Sequence, residues 1–252
     1  MKKILVVANW KMYVEDEEAA KTFAKSLRTK LRAFPNFAVS IAPAYLLILA
    51  VVEALSRSSV AVGAQAVSAA VSGAHTGEVS ASMLKKAGAT FSIVGHSERR
   101  AMGETNEAVR AQMLELAQMG LGAVLCVGER ERDPGGEHFS FIKEQLTSAL
   151  VGLPKKAVSK LVIAYEPVWA IGKSAADAMK PQEVQEAAIF IRKTLASLIE
   201  PALAKKVPIL YGGSVEESNA AQILKEGSVS GFLVGHASAN LENFLGILKA
   251  CK

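Results

Sequence analysis

The stretch "LVIAYEPVWAIG", Leu161–Gly172, sets a short apolar run against a glutamate and a proline. The run Leu161–Tyr165 is apolar on both faces, the pattern of a strand buried on two sides in a parallel sheet. Seven more runs of this kind can be read: Ile4–Ala8, Phe37–Ala42, Val60–Ala64, Thr90–Val94, Ala123–Val127, Pro208–Tyr211 and Phe232–Val234. Between them lie segments of helical period, among them Glu17–Ala33, Thr105–Met119, Glu137–Leu150, Gln182–Ile199 and Val215–Lys225. Pro181 suits a first helical turn, Ser214 and Glu217 form an S-x-x-E capping pattern, and Gly120 and Gly227 are stop signals. Eight strand–helix units in 252 residues give about 31 residues each, the size of a βαβ step, and eight steps close a barrel. No linker-like change of composition interrupts them. The expectation is an α/β chain of one domain, residues 1–252, folded as a (β/α)8 barrel; an open doubly wound sheet is the rival.

The bulk numbers narrow the function. Half of the residues are hydrophobic, enough for a large core. The net charge of +5, from 29 basic and 24 acidic residues, is spread along the chain. Neither a nucleic-acid tail nor a membrane-binding run is present, whereas a small anionic substrate is compatible. Cys126 and Cys251 form no disulfide framework and have no metal-ligand spacing. A reducing compartment is expected. Ile4–Ala8 is too short for the core of a secretory leader, and no stretch has the length of a membrane span.

Polar and glycine residues gather just after the apolar runs, the end of a barrel on which active sites are built. Asn9, Trp10 and Lys11 follow the first, Gly95, His96, Ser97 and Glu98 the fourth, and Glu166 the sixth. Gly212, Gly213 and Ser214 follow the seventh, and Gly235 and His236 the eighth. Pro167 biases Glu166 toward extended backbone. With Tyr165 and Trp169 as apolar surroundings, its carboxylate would gain the proton affinity of a general base. His96 would polarise a carbonyl through an imidazole N–H; a helix starting at Ser97 and Glu98 would aim its positive end at the ring. Asn9 and Lys11, two apart on a strand, would face one pocket as dipole and cation. The turns "YGGSV" and "LVGHAS" let backbone N–H groups approach an anion. Each feature alone has a plainer reading: a surface carboxylate, a structural histidine, a solvated lysine, tight turns.

Taken in order, "ANWKM" (8–12), "GAQ" (63–65), "GAHTGEVSA" (73–81), "VGHSERR" (94–100), "CVGE" (126–129), "AYEPVWAIG" (164–172), "YGGSV" (211–215) and "LVGHAS" (233–238) make a chain that resembles the triosephosphate isomerase family over nearly its whole length. The resemblance implies a TIM barrel. It implies interconversion of dihydroxyacetone phosphate and D-glyceraldehyde 3-phosphate through an enediolate, in glycolysis and gluconeogenesis, without metal or organic cofactor. Glu166 would be the base, His96 the electrophile, Lys11 the cation and Asn9 an oxyanion donor, with Ser97, Glu98 and Cys126 in support. Backbone N–H groups of Gly172, Ser214, Gly235 and His236 would hold the phosphate. Pro167, Val168 and Trp169 would hinge a lid. Thr76, Gly77 and Glu78, with Glu104, would serve a homodimer, and the enzyme would be cytoplasmic.

This chain also departs from the family. His236 stands where glycine is usual, which asks whether the turn needs a glycine-only conformation. The second half of the lid, "KSAADAMKP" (173–181), differs, the loop 66–78 is rich in Ala, Val and Ser, and "APAYLL" around Tyr45 replaces a "PPFT"-like turn. Two rivals remain in view. Another phosphate-binding barrel has no reason to carry "GHSERR" and "YEPVWAIG". A catalytically silent barrel would be expected to lack Lys11, His96 or Glu166.

Overall fold

A computed structural model describes residues 3–133, 135–172 and 179–252. Most of the altered second half of the lid, residues 173–178, lies outside them. Eight strands, β1 (Ile4–Asn9), β2 (Phe37–Ala42), β3 (Ala61–Ala64), β4 (Phe91–Val94), β5 (Gly122–Val127), β6 (Leu161–Tyr165), β7 (Ile209–Tyr211) and β8 (Gly231–Val234), pair in parallel in chain order, and β8 returns to β1. The ring is closed, so the (β/α)8 barrel stands and the open sheet is excluded. The longer helices outside it are α1 (Glu17–Lys30), α2 (Ile48–Ala54), α3 (Ala81–Lys86), α4 (Ser97–Ala101), α5 (Asn106–Met119), α6 (Glu137–Leu150), α7 (Lys155–Val158), α8 (Pro181–Leu198), α9 (Pro201–Ala204), α10 (Glu217–Glu226) and α11 (Leu241–Ala250).

Alternation along each strand sorts side chains into two cores. Val7, Ile93, Val124, Cys126, Ala164 and Leu210 belong to a cluster drawn from strands alone, the barrel interior. Val6, Ala8, Ile163 and Tyr165 belong to the larger cluster shared with the helices.

The helix signals act mostly as read. Asp16 Oδ2 accepts from Ala19 N at 2.7 Å before α1, Pro181 opens α8, and Gly120 ends α5 at φ +69°. Gly227 also ends its helix, but at φ −78°. There glycine is needed for closeness: a Cβ would lie 2.6 Å from the Ile223 carbonyl oxygen. The S-x-x-E reading at Ser214 is corrected. The helix begins at Glu217, and Asn219 Oδ1 accepts from Glu216 N at 2.9 Å. Ser214 instead donates its hydroxyl to Ala170 O at 3.1 Å. Glu216, not Ser214, is the N-cap residue, and Asn219 takes the acceptor role expected of Glu217.

Tyr45 opens a short 3-10 turn, Tyr45–Leu47, within electrostatic reach of Arg99, Glu78 and Glu104. Burial pushes its phenol up to about 12.

Ring closure depends on one glycine. Gly231 pairs with Leu5 at φ +143°, and a Cβ there would sit 1.8 Å from the Leu5 carbonyl oxygen. Gly231→Ala is therefore expected to destabilise the chain by at least about 2 kcal/mol in denaturant unfolding; a midpoint equal to the parent's would show that β8 has room to shift.

Candidate active site

The C-terminal ends of the strands enclose a pocket of about 320 Å3. All eight residues expected to act in catalysis or phosphate binding line it: Asn9, Lys11, His96, Glu166, Gly172, Ser214, Gly235 and His236.

Glu166 and His96 are buried and lie against each other. Glu166 Oε1 is 3.2 Å from His96 Nε2, and its Oε2 accepts from Ser97 N at 2.9 Å. His96 caps the short helix α4, and its Nδ1 accepts from Glu98 N at 3.2 Å. With the Nδ1 lone pair engaged, the neutral ring carries its proton on Nε2, facing the carboxylate and the pocket. The helix expected at Ser97 is thus present, and its backbone selects the tautomer.

Asn9 and Lys11 both reach the pocket, but not by strand alternation. The strand ends at Asn9, and Lys11 is left-handed at φ +46°. Asn9 Oδ1 accepts from Lys11 N at 3.1 Å, which leaves the Asn9 amide N–H groups as its donors. Gln65 braces the turn, donating to Lys11 O at 2.8 Å and Ala42 O at 3.0 Å. Lys11 Nζ contacts Glu98 Oε1 at 2.6 Å. At Gly235 a Cβ would meet Lys11 Cε at 3.2 Å, so a bare backbone there gives the lysine its channel.

The opposite wall is built from glycine turns. Gly212 lies under Glu166, where a Cβ would meet Cγ at 3.0 Å. His236 opens a 3-10 turn and is absent from the residues of positive φ other than glycine. Its backbone therefore does not need glycine. The imidazole turns aside and stands edge-on to Tyr13, ring centres 4.9 Å apart.

The expected surroundings of Glu166 need correction. Tyr165 and Trp169 do not line the pocket; both donate to Glu129 Oε1, at 2.8 and 3.0 Å. Successive residues on a strand face opposite sides, so Tyr165 cannot accompany Glu166 inward. Burial, then the neighbouring Glu129 charge, keeps the Tyr165 hydroxyl protonated. Glu129, itself buried, was quoted in "CVGE" but given no role; its position after β5, among aromatic hydrogen-bond donors, was its only signal. Gly128 was missed too: a Cβ would lie 1.8 Å from the Glu166 carbonyl oxygen, so this glycine lets the two strand ends touch. Cys126 is fully buried inside the barrel. Burial, then the Glu166 carboxylate, pushes its thiol well above the usual range, which makes it a neutral packing group. Thr76, Gly77 and Glu78 are exposed and lie away from the pocket, while Glu104 is held within the chain by Gln112 Nε2 at 2.8 Å.

A family model described as triosephosphate isomerase matches residues 4–251. The chain belongs to the triosephosphate isomerase family. It is an isomerase. It is 40% identical over 247 residues to the triosephosphate isomerase of Protochlamydia amoebophila, covering 97% of this chain and 92% of that one. Against that of Thermus thermophilus the identity is 42% over 256 residues, with 99% of each chain covered. The Chlamydia trachomatis serovar D relative is 42% identical over 250 residues, 98% of this chain and 89% of its own. Among the described residues no helix is long and apolar enough to cross a membrane.

Proposed function

We propose that the interconversion of dihydroxyacetone phosphate and D-glyceraldehyde 3-phosphate, which this chain catalyses as a member of its family, moves one proton between adjacent carbons through an enediolate. The observation that carries the reading is the buried pair, Glu166 against His96 Nε2 at 3.2 Å, on the floor of a pocket walled by glycine turns. Glu166 takes a proton from C1 of the ketose. The C–H electron pair becomes the C1–C2 double bond, and the carbonyl π electrons move to the oxygen on C2. There the His96 Nε2–H and the Asn9 amide stabilise the developing charge. A proton passes between the two enediolate oxygens, and Glu166 returns its proton to C2. One carbon is oxidised as its neighbour is reduced, so no external electron acceptor takes part.

The substrate carbonyl has to replace Glu166 as the acceptor of the His96 proton. Binding therefore frees the carboxylate at the moment it is needed as base. Lys11 supplies a positive charge beside the reacting oxygens. Backbone N–H groups of Gly172, Ser214, Gly235 and His236 hold the phosphate, with Ser97 and Glu98 positioning the acid–base pair. Pro167, Val168 and Trp169 form the stiff start of a lid over the pocket. Its first turn is already tied to the phosphate side by the Ser214–Ala170 hydrogen bond. Closure would expel water and strengthen every charge interaction inside.

Glu166→Gln keeps the shape and removes the base. In a coupled assay turnover should fall by about 10²–10⁴ while the fold is retained; turnover close to the parent's would sink the assignment.

The chain forms a homodimer through the face over β1–β4. Met12, Leu46, Leu49, Val71, Met83 and Met102 are exposed there, on the segments that follow those four strands. Exposed apolar side chains gathered on the ends of four neighbouring strands are the mark of an interaction surface, and Thr76, Gly77 and Glu78 lie in the same region. Sedimentation equilibrium should give twice the chain mass at micromolar concentration; a single-chain mass would refute the dimer. A cytoplasmic location fits two cysteines that are both free.

A further inference from the structure

The barrel face opposite the pocket carries a second concavity, of about 780 Å3. It forms where α1 runs into the turn Leu31–Ala33 and where the chain from α2 rises into β3. Among the described residues, Arg28, Arg32 and Arg57 line it, and no carboxylate does. Among the described residues none of these arginines is in an ion pair. Arg28 Nη1 donates to Ser56 O at 3.2 Å and Ala54 O at 3.4 Å, which anchors the loop. Arg57 is left-handed, at φ +60°. That conformation ordinarily selects glycine or asparagine. Thr29, Ser56, Ser58 and Ser59 also line it. A neighbouring groove shares Arg28 and Ser56 and adds Lys21 and Lys25, with Glu53 as its one carboxylate.

Three exposed guanidinium groups outside any ion pair among the described residues line one concavity, and one sits on a backbone that disfavours its side chain. Strain and like charge held together in this way are features of binding sites. The arginine fork matches phosphate oxygens in pairs, and serine hydroxyls donate to the same oxygens. The volume is that of a small-ligand site. Among the described residues no aromatic ring lines it, so no base-stacking platform is offered to single-stranded nucleic acid. We propose that this groove is a second anion site, taking a small molecule that carries two or more phosphate groups.

The test is calorimetric titration of the full chain with tripolyphosphate at low salt. The parent is set beside Arg32→Gln/Arg57→Gly and a charge-matched control, Lys225→Gln/Lys249→Gln. Any binding in the isomerase pocket is common to all three. The arginine variant should bind at least about tenfold more weakly, the scale of losing charged hydrogen bonds, and the control should bind like the parent. Isomerase turnover should be equal in all three. Arg57→Gly alone should raise Tm by about 2–4 °C as the left-handed strain is relieved. Superimposable titrations, or equal weakening in the control, would overturn the site. So would an RNA oligonucleotide that binds through the same arginines more tightly than tripolyphosphate. A lowered Tm for Arg57→Gly would likewise overturn the site, by making Arg57 a structural residue rather than a strained ligand.

Discussion

Close contact between the first and last strands, where Gly231 lies against the Leu5 carbonyl, turns eight similar strand–helix units into a ring. An open parallel sheet would leave two unpaired edges and place β1 far from β8. Once the ring closes, the C-terminal ends of all its strands face one small volume. Asn9 on β1 then stands near Gly235 after β8, although 226 positions, the difference between the two numbers, separate them in the chain. Ser238 bridges them, its Oγ reaching both Asn9 O, at 3.3 Å, and Gly235 O, at 2.7 Å. No residue of the pocket makes the site alone; the ring brings partners from five strands together.

Within that volume, backbone groups orient the side chains that matter. His96 receives its tautomer from the Glu98 N–H, Glu166 is held by the Ser97 N–H, and Lys11 reaches inward from a left-handed turn braced by Gln65. A main-chain donor is fixed by the fold and needs no reorganisation when charge develops. Behind the site, the Glu129 carboxylate collects Tyr165 and Trp169, so the segment that starts the lid is fastened to β5 and β6 just where Glu166 emerges.

The architecture was legible because doubly apolar runs at a regular spacing have few solutions, and the ends of those runs carried the titratable residues. Glu166 and His96 stood out by their position after those runs, and the family resemblance supplied the roles expected of them. What stayed hidden depended on contacts between distant residues. Tyr165 and Trp169 read as a jacket for Glu166, because adjacency in sequence hides the side to which each residue turns; they belong to Glu129. Ser214 and Glu217 read as the capping pair, yet the pair sits two residues further on, at Glu216 and Asn219, and the serine bonds Ala170 instead. His236 read as a conflict with the turn, and only the backbone angle together with the Tyr13 contact removes it. Gly128 and Gly231 carry no signal in one sequence, since what they avoid is the backbone of another strand.

The central claim is that a carboxylate on β6 carries a proton between neighbouring carbons of a bound triose phosphate. Isomerisation in D2O, followed by proton NMR of the product, tests it most directly. A proton held on Glu166 can exchange with solvent, so product formed from unlabelled dihydroxyacetone phosphate should carry deuterium at C2. Rapid turnover giving product with no deuterium at any exchange time would mean that hydrogen moves between the carbons directly, and Glu166 would lose its place as the base.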